Sequence, residues 1–141
     1  MNIEKKTKLG HGIVVYNDGR VYQKGKKCAI EYEIFDQDVN LRIPTYPYIY
    51  YEYRNHWKKT ETAKIDVQDL MVEAGYVDGN KHQFKDPVIL HKDGDYMNCS
   101  SDNLEWCDAT DPRYIEYSNK TTDTIVELAM QRNKNWLDFI D

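Results

Sequence analysis

Short runs of β-branched and aromatic residues, separated by glycine turns, fill the first half of the chain. Ile13-Val14-Val15-Tyr16 leads into Asn17-Asp18-Gly19-Arg20 and then Val21-Tyr22. Asp-Gly between β-formers predicts a hairpin, because glycine reaches positive φ without a Cβ clash. Lys24-Gly25-Lys26 predicts a second turn, and Ala29 to Phe35 alternates loosely as a further strand. Residues 42–57 are dense in tyrosine. Pro44 and Pro47 demote the first part to an edge or a loop, while Tyr48 to Tyr53 predicts a strand with aromatics on both faces.

The second half mixes periods. In residues 66–76, Leu70, Met71 and Ala74 form an apolar stripe that Gly75 stops, which predicts a short helix opening at Asp66 or Val67. A polar loop over 77–86 precedes a brief strand at Val88-Ile89-Leu90, and a turn over His91 to Asp95 follows. Asn103 to Cys107 predicts another short strand. Thr124 and Glu127 have capping-box spacing, which predicts a helix over 125–133, with Trp136, Leu137, Phe139 and Ile140 extending or anchoring the tail.

Composition narrows the class. The 141 residues are polar, with a mean hydropathy of −0.82, yet 12 Tyr, 3 Phe and 3 Trp can supply a core. A mainly disordered state is excluded. No apolar run approaches the ~20 residues of a membrane span. The basic start lacks an apolar stretch with a cleavage site, so no signal peptide is expected. Three cysteines leave one odd, which argues against a disulfide scaffold and for a reducing, cytoplasmic setting. The net charge of −5 is unevenly spread. Residues 1–64 carry 12 Lys/Arg against 8 Asp/Glu, and residues 65–141 carry 7 against 16. Only the first half offers a basic face for phosphates. The second suits cations or basic partners.

The most informative stretch is residues 87–114. Val88, His91, Asp93-Gly94, Asn98 and Asn103-Leu104-Glu105-Trp106 stand in a fixed spacing, with the last tetrapeptide starting twelve residues after His91. This pattern resembles the core of the HNH endonucleases of phages and mobile introns. Residues 67–77 resemble the helix that precedes that core, with Gln68 where the family usually has His. Residues 14–27 resemble the small DNA-contacting β module often found N-terminal to it. The likeness covers most of residues 13–114.

The resemblance implies an α+β chain with an HNH-like ββα-metal core. A β-rich N-terminal module (1–64) would precede the helix and core (65–114), and a C-terminal helix (115–141) would follow. It implies metal-dependent hydrolysis of DNA phosphodiesters with Mg²⁺ or Mn²⁺. His91 would be the general base and Asn103 would orient its imidazole. The family's metal ligands lie just before the His and nine residues after the Asn. Those positions here are Leu90 and Pro112, neither of which has a side-chain donor. A hard cation needs oxygen. Asp111, one residue from Pro112, and Asp93 are the candidate replacements. Pro112 itself would fall in the first turn of the expected helix, where proline is tolerated.

On the basic half, Arg20, Lys24, Lys26 and Lys27 are candidate phosphate contacts. Arg54, Lys58 and Lys59, beside Tyr51, Tyr53 and Trp57, combine charge with stacking surface and suit nucleotides or single strands. Solvated hairpin tips and an aromatic core strand are the plainer reading of the same residues. Cys99 and Cys107 read as buried thiols, or with His82 or His91 as a zinc site. Trp106 and Leu104 are expected in the core. Two functions remain: an HNH endonuclease acting on DNA, or a non-catalytic derivative. The latter would bind nucleic acid, a nucleotide or a host protein, for example as a phage inhibitor of a host defence system.

Overall fold

The computed structural model describes residues 3–134. The predicted tail at Trp136 to Ile140 lies outside the described residues. Strands β1 (Lys6–Lys8), β2 (Ile13–Tyr16), β3 (Val21–Gln23) and β4 (Lys26–Lys27) form an antiparallel meander in that order. The period of two buries Ile13 and Val15 on one face of β2. Both predicted turns are present. Lys24 and Gly25 take φ of 49° and 80°, as a two-residue turn between twisted strands requires.

A second antiparallel sheet contains β5 (Glu31–Asp36), β6 (Leu41–Arg54) and β7 (Thr60–Asp66), with β6 in the middle. The two prolines do not break β6, contrary to the loop alternative. Its first half pairs only with β5 and its second half only with β7, and Tyr48, opposite both Glu31 and Asp66, is where the pairing changes over. Pro44 and Pro47 therefore sit where one side of the strand has no ladder, and a register shift beside them absorbs the irregularity.

Helix α1 (Val67–Glu73) buries Val67, Leu70 and Met71 against the main core, which includes Val15, Val21, Ile49 and Leu104. Gly75 follows at φ 76°, the left-handed conformation that ends a helix. Strands β8 (Pro87–His91) and β9 (Leu104–Asp108) pair antiparallel, with His91 opposite Leu104. Helix α2 (Pro112–Arg132) completes a ββα unit and packs on β8 and β6. The chain is α+β.

Two expectations need correction. The last helix starts at Pro112 rather than at 125. Asp111 is its N-cap, accepting from the Arg113 N–H, and Pro112 fits the first turn, a stronger start signal than the Thr124–Glu127 box. Thr124 instead donates its hydroxyl to the Lys120 carbonyl inside the helix. Leu104 is fully buried, but Trp106 is only half-buried, with its Cβ against the Gly79 turn and the Lys81 ammonium 6.0 Å from its ring centroid.

A smaller cluster of Leu90, Tyr96, Cys107 and Tyr117 joins α2 to the hairpin. At the far end of α2, Arg132 pairs with Glu33 at 2.9 Å. The Asn133 amide accepts from the Arg42 N–H at 2.8 Å and donates to the Arg42 carbonyl at 2.8 Å. No described helix is long and apolar enough to cross a membrane.

Candidate nucleic-acid interface and the His91 centre

Two basic hairpins meet at one end of the two sheets. Gln23, the last residue of β3, donates to the carbonyls of Glu52 (2.7 Å) and His11 (2.8 Å) and accepts from the Glu52 N–H at 3.0 Å. This places the β3–β4 turn, with exposed Lys24, Lys26 and Lys27, beside the outer end of β6, where Arg54 is exposed. His11 adds an aromatic face, 5.6 Å from the ring of Tyr51 and 5.9 Å from that of Tyr53.

The β6–β7 turn carries the rest of the predicted set. Asn55 organises it by accepting from the N–H groups of Trp57 (2.9 Å) and Lys59 (3.0 Å). The Asn55 amide also donates to Glu61, which accepts from the Tyr53 hydroxyl at 2.6 Å as well. These two donors hold the Glu61 carboxyl below its usual range and engage it within the turn. The turn presents Trp57, 75% exposed, with Lys58 and Lys59 beside it.

Arg20 is placed differently. Its guanidinium is held by Asp18 (2.7 Å) and Glu4 and lies 4.4 Å from the Tyr16 ring centroid. Those acids keep it firmly protonated and occupy the fork that a phosphate would need.

His91, at the end of β8, is 1% exposed. Its ring stacks on Tyr117 at 5.3 Å and meets the edge of Tyr46 at 6.0 Å, and the two tyrosine hydroxyls share a 2.9 Å hydrogen bond. Nδ1 lies 3.1 Å from the Asp95 carbonyl and 3.0 Å from that of Asn98. Nε2 lies 2.6 Å from the Gln68 side-chain oxygen. Burial lowers the His91 pKa, against the opposing pull of the two carbonyls, so the ring is neutral at pH 7. A neutral ring has one N–H, and the carbonyls take it at Nδ1. Nε2 then carries the lone pair, which Gln68 can pair with only through its NH₂, so the amide is assigned with its nitrogen rather than its oxygen toward the ring.

Asn103 does not contact the imidazole, which corrects the expected orienting bond. Its side chain accepts from the Asp93 N–H (2.8 Å) and donates to the Asp93 carboxylate (3.0 Å) and to the Asn98 carbonyl (2.9 Å). The turn between β8 and β9 folds back onto Asn103, and the backbone carbonyls reach the ring instead. Asn103 reaches His91 through Asn98, the shared acceptor, and through Asp93, which holds the Asp95 N–H.

The donor set does not fit a divalent cation as expected. Leu90 is buried and Pro112 begins α2. Asp111 caps the helix and pairs with Arg113 at 3.0 Å, which lowers its pKa. Asp93 is buttressed by Asn98, Asn103 and the Asp95 N–H, which outweigh the cost of burial and hold its carboxyl low. Among the described residues no group of three or more His, Cys, Asp or Glu side chains is placed to hold a metal. Cys99 belongs to the main core and Cys107 to the smaller cluster, while His82 is exposed, so the zinc alternative is not assembled. Burial pushes the Cys99 thiol up to about 12, leaving it inert.

Sequence reasoning missed His11, whose signal was its place between two glycines in a basic half. It noted Gln68 only as a departure, not as the partner of His91. It also missed Tyr46 and Tyr117, whose meeting at His91 depends on where α2 begins.

No protein-family model matches the sequence, and no curated protein matches it. Among solved structures the chain is similar to the HNH homing endonuclease I-HmuI, from a study of that enzyme's DNA binding and cleavage. The identity is 22% and the TM-score 0.47, covering 92% of this chain and 66% of that one. The chain thus spans about two thirds of the length of that endonuclease.

Proposed function

We propose that this chain is a DNA-binding protein on an HNH-type ββα scaffold, and that it holds DNA through the basic and aromatic end of its two sheets. The observation that carries the reading is the link from Gln23 to the Glu52 backbone, which ties the turn bearing Lys24, Lys26 and Lys27 to the strand that runs on through Arg54 to the turn bearing Lys58 and Lys59. Cationic side chains in a row neutralise backbone phosphates and release counterions. Trp57 adds a stacking face for an exposed base. Arg20 serves the fold rather than the contact.

The test is anisotropy of a labelled duplex between about 50 and 200 mM salt. Six cations engaging most of their phosphates give a slope of log K against log salt of roughly −3 to −5. Changing Lys58 and Lys59 to Glu weakens binding at every sequence and flattens the slope by about 2. Salt-independent binding, or none, overturns the reading.

A second reading, endonuclease activity, is favoured by one feature. The carbonyls at Nδ1 favour a neutral imidazole with its lone pair on Nε2, the state a general base requires, and water would reach that atom only once Gln68 swings away. Plasmid nicking with Mg²⁺ or Mn²⁺ that is lost in His91→Ala would establish it. Absence of nicking leaves the binding function alone.

A further inference from the structure

Beside His91 the surface sinks into a depression of about 370 Å³. One wall is the end of β8 and its turn, from Leu90 to Gly94. The other is a single face of α2, where Arg113, Glu116, Tyr117 and Lys120 recur at helical spacing. In an HNH enzyme this is the side on which the metal would be expected, and here the ligand positions are Leu90 and Pro112. Three cations, Lys92, Arg113 and Lys120, and two acids, Asp93 and Glu116, line the space.

Lys120 reaches across from α2 to the β8 turn. A Cβ on Gly94 would lie 3.1 Å from its Nζ, so the ammonium sits directly over the turn. Lys92 lines the same space from the strand side. Among the described residues neither lysine forms an ion pair. Of the two acids, Asp93 points its carboxylate at Asn98, Asn103 and the Asp95 N–H and keeps its negative charge, and Glu116 is the second acid. Arg113 is divided between Glu105 and Asp111.

We propose that this depression is a phosphodiester-binding site in which the ammonium groups of Lys92 and Lys120 supply the positive charge, with no divalent ion. Two ammonium groups on opposite walls can grip the non-bridging oxygens of one DNA phosphate as point charges. Tyr117 and Leu90 limit the depth, so the phosphate stays at the mouth and His91 stays covered. The proposal rests on the DNA-binding reading for its natural ligand, but its chemistry can be tested without DNA.

The first arm titrates the full chain with dimethyl phosphate in EDTA and follows amide shifts by NMR. Saturable shifts at Lys92 to Gly94 and at Lys120 are expected, and they should vanish in the Lys92→Gln/Lys120→Gln double variant. Shifts that appear only after Mg²⁺ or Mn²⁺ is added, or none at tens of millimolar, overturn the proposal. The second arm measures duplex affinity in EDTA. The same double variant should lose roughly 3- to 10-fold and reduce the salt slope by about 1 to 2, while Mg²⁺ brings no gain. If dimethyl phosphate binds and duplex DNA does not, the site stands and the DNA-binding reading falls. If DNA binds and the double variant is unaffected in both arms, the site falls and the DNA-binding reading stands.

Discussion

Removing the Asn103 side chain should unlock the turn that carries His91. Asn103→Ala deletes three hydrogen bonds: one accepted from the Asp93 N–H, one donated to the Asp93 carboxylate and one donated to the Asn98 carbonyl. A neutral bond contributes about 0.5–1.5 kcal/mol net and one to a charged group about 1.5–3. Asp93 lies near water, which replaces part of what it loses, so the expected cost is about 2–4 kcal/mol. Urea unfolding monitored by tryptophan fluorescence measures it, with an unchanged m-value showing that stability alone has moved. Asp93→Ala removes the other end of one of these bonds, the carboxylate acceptor, and keeps the backbone N–H. The double variant should therefore be less destabilised than the sum of the singles, by about 1 kcal/mol or more. The Asp93 carboxyl, held low by Asn98, its own turn and Asn103 against the cost of burial, should titrate higher in Asn103→Ala. A cost under about 0.5 kcal/mol with strict additivity would refute the idea that Asn103 holds the turn.

Other outcomes follow from burial and charge. Because burial lowers the His91 pKa, the unfolded chain binds that proton first. The stability from this group is complete above the unfolded value of about 6.5 and falls as pH drops below it. Wild type should weaken between about pH 6.5 and 5 while His91→Gln shows a flatter profile, and equal slopes would count against a buried neutral ring. Leu104→Ala should cost about 2–5 kcal/mol in the same urea assay, since the side chain is sealed in the core. Trp106→Ala, half-buried, should fall below the ~3–5 kcal/mol of a fully enclosed aromatic, and a larger loss would mean that the indole carries more of the core than its exposure indicates.

The parts of this molecule visible in its sequence are those set by neighbours along the chain. Asp18-Gly19 and Lys24-Gly25 announce their turns because positive φ is a local demand. The β8–β9 hairpin was legible only through the resemblance that the spacing from His91 to Asn103 and Leu104 carries. What remained hidden depends on distant pairs. Gln23 meets Glu52 across 29 positions, and Gln68 meets His91 across 23. Neither bond has a periodicity to reveal it. The surroundings of Asn103 and Asp111 stayed hidden for a related reason. A carboxylate or amide beside a turn or a helix start has backbone N–H groups within reach, and these claimed it before any ion or imidazole.

The Asn133 clasp on Arg42 has a consequence for self-association. A primary amide that accepts from one N–H and donates to the adjoining C=O reproduces the bonds of a neighbouring strand with a single side chain. The first half of β6 has β5 on one side, and the other side would offer a bare row of donors and acceptors to any extended peptide, including the same segment of another molecule. Asn133 blocks that row at one end, and the prolines at 44 and 47 contribute no N–H along it. Asn133→Ala should therefore leave the monomer nearly as stable while raising its tendency to form β-rich aggregates on mild heating.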